Sequence, residues 1–293
     1  MYIITGATGN TGSRISESLL ASGHAVKAIA RNPEKLAKLQ EKGASIVAGD
    51  LSDADFLTQT LKGATAAYLM IPPNFAVTDW RAHMTQMVDV YTQAVRESGI
   101  KKVVLLSSLG AHRTDGLGPI GGLCELENAM KAIPGLDVLA LRPGYFMENL
   151  YGSVGMIKRM GINGGVQRSD VRTAIVHTSD IAAVATQRLL DLNFTGFSYE
   201  FITGPEDLTF AEITTIIGQA IGKPDLQYVN FSPADGKAGM IQAGLPETIA
   251  NGYVEMAEGM NKGLMVEGYN RAAATQTNTS FTWFVEHELK RAF

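Results

Sequence analysis

Apolar residues fall along this chain in two rhythms: short unbroken runs, and longer stretches where they recur at helical spacing. The runs are Tyr2-Ile3-Ile4, Ala25–Ala30, Ser45–Ala48, Ala66–Ile71, Lys102–Ser107 and Val138–Arg142, and each predicts a strand. The periodic stretches predict a helix from Ser13, with Ile15, Leu19 and Leu20 on one face. Others follow over Glu34–Glu41, Ala54–Lys62, Trp80–Ser98 and Gly121–Ala132. Pro33 suits the first turn of the second helix, and Ser52 is the expected N-cap of the third. Strands that alternate with helices at this pace predict a parallel sheet with right-handed crossovers. The strands are apolar almost throughout, which fits a sheet covered on both faces.

Beyond Arg142 the rhythm loosens. Pro143-Gly144 breaks the sixth strand, and Gly152, Gly155, Gly161, Gly164 and Gly165 predict a loop-rich stretch. Later strands are expected at Thr173–Val176, Ser198–Ile202 and Tyr228–Phe231. Later helices are expected over Asp180–Leu190 with Ser179 as cap, and from the Thr209/Glu212 capping box to Ile221. Three more are expected over Pro233–Ala243, Pro246–Lys262 and Trp283–Arg291. Met240, Met256, Met260 and Met265 suit either an adaptable apolar wall or the filling of core gaps.

The chemistry begins where the first strand meets the first helix, at TGATGNTG, Thr5 to Gly12. In that context each glycine has a task. Gly6 permits the tight turn, Gly9 lets backbone approach a pyrophosphate, and Gly12 lets the helix lie close on the strand. The free N–H groups and positive dipole end of the helix then face the phosphates. The end of the second strand reads the ribose. An acid there would bind a 2′-hydroxyl, but the strand ends Ala30-Arg31, and the planar fork of arginine suits a 2′-phosphate. This predicts NADP(H) in preference to NAD(H). Asp50 and Leu51 close the third strand, where the adenine would rest. Ile71, Pro72 and Pro73 end the fourth strand and Ser107-Ser108 the fifth, along the edge where open α/β sheets bind ligands.

Composition narrows the remaining choices. The chain has 293 residues and a net charge of −4 with acids and bases interspersed, so no basic surface points to nucleic acid. Its one cysteine, Cys124, forms no disulfide within the chain, which fits a reducing compartment. No apolar run approaches the roughly 20 residues of a membrane span, and Met1 leads straight into a strand rather than a signal peptide. A soluble cytoplasmic protein is expected, and a homodimer is compatible with the sequence. His24, His83, His112, His177 and His287 are scattered, so no metal is expected. Ser108 lies in LSSLG, which is not a nucleophile elbow.

Taken in order, TGATGNTG, AIARNPEKL, GDLSD, LLSSLGA, LRPGYFMENL, HTSDIAAVA and ITGPEDLTFAEI resemble the NmrA-like group of atypical short-chain dehydrogenases/reductases. AGLPETIANGYVEMAEGMNKG is similar to the subset that reduces quinones with NAD(P)H. The fold expected is α/β, a Rossmann-type doubly wound parallel sheet. Residues 1–149 would form the NADP(H)-binding domain. Residues 150–293 would partly complete the sheet (173–202) and add a smaller, mostly helical substrate-side lobe. The resemblance implies that Thr8, Asn10 and Thr11 join the glycines around the pyrophosphate. It also implies that Pro143, Gly144 and Phe146 lie beside the nicotinamide.

A catalytic residue is harder to find. Typical short-chain reductases carry a tyrosine with a lysine four residues on, whose charge lowers the phenol's pKa. Here Tyr91 is followed at that place by Val95, Tyr145 by Asn149 and Tyr151 by Gly155. Relatives often carry a lysine or histidine four residues before a glutamate in the helix after strand five. Glu127 matches that glutamate, but Leu123 precedes it. A quinone demands less, because its reduced oxygen is already stabilised by delocalisation. The site then has mainly to hold two flat rings in a dry apolar pocket. Pro73, Phe75, Phe146 and Tyr151 could build one. Asn149 either faces substrate or caps a helix, and His112 is either a donor to the quinone oxygen or a solvated loop residue. The expected activity is NADPH-dependent reduction of quinones or similar small electrophiles by direct hydride transfer. The alternative is a non-catalytic NADP(H)-binding redox sensor that contacts a protein partner.

Overall fold

The computed structural model describes residues 1–293. An eight-stranded parallel sheet runs through it. In chain order its strands are β1 (Tyr2–Ile4), β2 (Val26–Ala30), β3 (Ser45–Ala48), β4 (Ala66–Leu69), β5 (Lys102–Leu106) and β6 (Asp137–Pro143). After the two-residue β7 (Tyr145–Phe146) come β8 (Ile162–Gly165) and β9 (Arg172–Val176), outside this sheet. β10 (Phe197–Thr203) returns to it, and β11 (Asp207–Thr209) and β12 (Gln227–Asn230) again leave it. β13 (Thr275–Gln276) closes it. The spatial order is β13-β10-β6-β5-β4-β1-β2-β3. β1 therefore sits between β2 and β4, with Tyr2 facing Val26 on one side and Ala66 on the other. The order of strands reverses there, and a crevice opens at the carboxyl ends.

Helices cover both faces of the sheet. α1 (Asn10–Ala21) follows β1, and α2 (Ala37–Glu41) and α3 (Ala54–Leu61) follow the next strands. α4 (Trp80–Ser98) and α5 (Ile120–Lys131) lie beyond β4 and β5. One buried cluster, with Ile4, Ile15, Leu19 and Leu189, packs α1 and a later helix on one face. A second, with Leu57, Leu61, Tyr91 and Leu126, packs α3, α4 and α5 on the other. Two-sided burial explains why these strands read as continuous apolar runs. α6 (Tyr151–Met160), α7 (Thr178–Asp191), α8 (Phe210–Ala220), α9 (Pro233–Gln242), α10 (Glu247–Asn261) and α11 (Phe281–His287) complete the chain. A third core, with Met147, Ile213, Phe281 and Phe284, lies beneath this carboxyl-terminal part.

Several local expectations need correction. Within 173–202, Phe197–Thr203 pairs along β6, but Arg172–Val176 does not enter the main sheet. It pairs with Asp207–Thr209 and Tyr145–Phe146 in a separate three-stranded sheet. The glycine-rich stretch forms α6 and β8 rather than loops. In β8 the glycine allows close pairing: a Cβ on Gly164 would stand 2.6 Å from the Val229 carbonyl oxygen. Glu34–Glu41 divides into a 3-10 turn at Pro33–Leu36 and the short α2. Asp53, not Ser52, caps α3 by accepting the Phe56 N–H at 3.0 Å, because Ser52 is engaged with Asp50. His177, not Ser179, caps α7.

Candidate functional site

The Gly6–Gly12 turn lies at the crevice beside the β1–β4 junction. Gly6 has φ +62, where side chains are strained. A Cβ on Gly12 would stand 2.4 Å from the Gly6 carbonyl oxygen and 2.8 Å from that of Thr5, so only glycine lets α1 lie this close. The first helical bond in α1 runs from the Ser13 N–H to the Gly9 oxygen at 3.2 Å. The N–H groups of Asn10, Thr11 and Gly12 precede it. No side chain caps this end and no acid stands in its first turn. The positive end of α1 is thus left for an anion. Thr8, Gly9 and Asn10 are exposed around it. Thr11 is buried, and its hydroxyl accepts the Tyr68 phenol at 3.0 Å. These features fit a dinucleotide pyrophosphate.

Arg31 stands exposed at the end of β2, outside every ion pair in the protein. Asp50 is its neighbour. Hydrogen bonds from the Ser52 N–H and hydroxyl hold Asp50 below the ordinary carboxylate range, and the charges of Arg31 and His83 act the same way. The Leu51 side chain belongs to the core beside Ile3 and Ile29, leaving its main chain at the edge. The Ser107 hydroxyl is buried and donates to Glu127. Glu127 is buried and paired with Arg142, whose Nε donates to it at 3.0 Å and whose Nη2 reaches the Ala111 oxygen at 3.2 Å. The glutamate singled out by the family pattern is thus an anchor under the β5 and β6 ends. Pro143 lies in β6, Gly144 approaches Ala174, and Phe146 pairs along Val176 in β7.

A cavity of about 170 Å3 opens beside the β4 end. Ile71, Pro72, Pro73, Asn74 and Phe75 form one side. Trp80, His83 and Met84 of α4, Pro119, Ile120 and Leu123 at α5, and Ile249 and Tyr253 of α10 form the rest. Phe75 is half exposed, and its ring stacks on Tyr253 at 6.3 Å between centroids. Burial pushes the Tyr253 phenol above its ordinary pKa. Leu123 lines the cavity, so the place expected of a lysine or histidine offers only carbon.

The structure brings Ile71, Pro72, Pro73 and Phe75 together but not the other pocket candidates. His112 lies 3.5 Å from Glu267. Asn149 is exposed in a 3-10 turn, and Tyr151 packs edge-on against Phe284. Met260 and Met265 are core residues, and the α10 side of the cavity is Ile249 and Tyr253. Sequence reasoning missed Trp80, His83 and Tyr253. Helical spacing predicts the helix over Trp80–Ser98, and nothing local shows that its first turn faces a cavity closed by α10.

Tyr68 and Tyr91 are buried and pushed upward, and Tyr145 is pushed up to about 12 by burial. Burial likewise pushes the phenols of Tyr151, Tyr228 and Tyr269 upward. No group of histidine, cysteine and carboxylates is arranged to hold a metal ion. No helix is long and apolar enough to cross a membrane.

Comparison with known proteins agrees with this geometry. Residues 6–190 match the NAD(P)H-binding family. An NAD(P)H azoreductase from Xenophilus azovorans is 27% identical over 87% of this chain and 86% of its own. Quinone oxidoreductase 2 of Escherichia coli is 29% identical over 90% of this chain and 89% of its own. The crystal structure of NADPH-dependent quinone oxidoreductase QOR2 from Escherichia coli, complexed with NADPH, superposes with a TM-score of 0.82 at 27% identity. It covers 99% of this chain and 100% of that one. A mutant NmrA structure shares the fold, with a TM-score of 0.72 at 14% identity over 98% of this chain and 94% of its own. The chain belongs to the NAD(P)H-binding family and shares the fold of its quinone-reducing relative and of NmrA.

Proposed function

We propose that this protein is an NADPH-dependent reductase of single-ring quinones or similar small, flat electrophiles. The observation that carries this reading is the cavity itself. It is lined largely by apolar and aromatic side chains, lies at the strand edge beside the dinucleotide crevice, and lacks a tyrosine–lysine pair. Its volume resembles the roughly 150 Å3 at which an apolar protein cavity takes up a benzene ring. The quinone-reducing relative supports the same class of substrate.

Each part of the chain has a task in this reading. The α1 amides, Thr8 and Asn10 hold the pyrophosphate, and Arg31 pairs with the 2′-phosphate, which gives the preference for NADP(H). The bound dinucleotide supplies the hydride. The Glu127–Arg142 pair fixes the loop after β5 and the β6 end, which position the rings. The cavity walls exclude water and align the substrate ring, so proximity and desolvation carry most of the rate.

The test is loss of NADPH absorbance across a panel of benzoquinones, naphthoquinones and azo dyes, with calorimetry for NADPH binding. Turnover with small quinones is expected. Tight NADPH binding with no oxidation by any member of the panel would overturn the reading and favour a redox-sensing regulator.

A further inference from the structure

Two titratable side chains line the cavity, His83 on α4 and Tyr253 on α10. The ring of His83 makes no hydrogen bond and no ion pair within the protein, and neither does the Tyr253 hydroxyl. Both are half-buried. We propose that His83 is the proton donor to the substrate oxygen, with Tyr253 holding the same ring by contact and hydrogen bonding. The proposal rests on the reductase reading above and names the acid it lacks.

Reduction of a quinone to a hydroquinone takes one hydride and one proton. The hydride and its electron pair arrive with the reduced nicotinamide dinucleotide, and the quinone is reduced. One oxygen is then a phenolate. As its O–H bond forms, an imidazolium N–H bond on His83 breaks, and water returns the proton to the imidazole. Chemistry selects His83 over Tyr253 for this transfer. The product is itself a phenol, with an ordinary pKa of about 10. Burial makes Tyr253 a still weaker acid, so giving up its proton to a phenolate runs uphill. Imidazole, whose ordinary titration falls near neutral pH, gives it downhill.

The surroundings of His83 suit a residue that gains and loses charge. Asp50 lies near enough to respond to the charges of both His83 and Arg31. Tyr253 lines the same cavity. On its own helix Asp79 caps the first turn, and Arg81 pairs with Glu255 of α10 at 3.7 Å. The positive end of α4 opposes a second positive charge, and Asp50 attracts it.

His83→Gln and Tyr253→Phe test the assignment in two ways. With NADPH and a small quinone, His83→Gln is expected to lower kcat at least about tenfold, the ring's own delocalisation keeping the loss below the usual ~100-fold for a general acid. NADPH affinity stays unchanged. Wild-type kcat falls as pH rises, and the variant's profile is flat. Tyr253→Phe raises KM and keeps the wild-type pH profile. A second readout needs neither cofactor nor turnover. Para-nitrophenol bound to the protein alone shows the phenolate band at a pH where the free compound is largely phenol, and His83→Gln abolishes that band. A variant with wild-type kcat and pH profile overturns the proposal, and so, even if no quinone is turned over, does a variant that keeps the phenolate band. A wild type that stabilises the phenolate through His83 but reduces no quinone upholds the donor and sinks the reductase reading instead.

Discussion

The two ends of the crevice are built by opposite means. The end proposed for the dinucleotide is made by residues close in sequence, Gly6 to Gly12 with Arg31, and the shape of its glycine turn is set by backbone clearances of a few ångströms. The cavity end is made by α4, α5 and α10, and the Trp80 N–H reaches Thr248, 168 residues away. Between them the Glu127–Arg142 pair lies buried under the ends of β5 and β6. The first end depends on conformation, the second on docking, and the pair on desolvated charge. Each should therefore fail in its own way.

The largest effect is expected at the junction. Glu127→Ala leaves Arg142 buried and unpaired and should cost about 3–5 kcal/mol of stability, read from denaturant unfolding. Changing Glu127 and Arg142 together to Gln and Met should recover much of that loss. Next comes Gly12→Ala, whose added methyl meets backbone that has no room to give. It should cost about 1–3 kcal/mol in thermal unfolding and abolish NADPH binding in calorimetry. Arg31→Ala should weaken NADPH by roughly 10- to 150-fold, the range for losing a hydrogen bond to a charged partner, and leave NADH almost unchanged. Equal losses for both nucleotides would refute the 2′-phosphate role.

Gly252→Ala separates the two ends most cleanly. Its new Cβ would stand 2.8 Å from the Trp80 Nε1, so either the Trp80 indole or α10 must shift at the cavity wall. Quinone KM should rise about tenfold, some 1.4 kcal/mol, with NADPH affinity intact. A loss of NADPH affinity would show that the two ends are not independent. The smallest effect concerns Cys124, next to Leu123 and near Glu127. Burial first, and then the Glu127 charge, push its thiol upward, so the thiolate is scarcer than in a free peptide. Iodoacetamide should modify it more slowly than a cysteine in a short peptide, and the rate should climb only at higher pH.

The same contrast explains what could be read from the chain. A glycine turn between a strand and a helix is a local object, so Gly6, Gly9 and Gly12 announce themselves. Two-sided burial likewise writes each inner strand as an apolar run. The glycines of Gly152–Gly165 misled because glycine marks close packing as well as loops: Gly164 serves a strand pairing that only Tyr228–Asn230 can explain. Caps were misplaced by one or two residues because Ser52 is occupied by Asp50 and a histidine does the work expected of Ser179. Among pocket residues, Pro73 and Phe75 were legible because they continue a strand end. His83 and Tyr253 were not, since their neighbourhood exists only once α10 lies across α4. His112 looked closer in sequence and is drawn aside by Glu267.

The last strand of the sheet, Thr275–Gln276, pairs with Ile202 and Thr203. Contacts between segments so far apart carry a larger loop-closure cost and tend to form late in folding, whereas β1, α1 and β2 can assemble from neighbours. α10 belongs to the interval that must be gathered in before that strand can dock. A chain that folds in this order can grasp its nucleotide early, and the nucleotide can steady the half-built sheet. Its substrate has nowhere to sit until the closing steps.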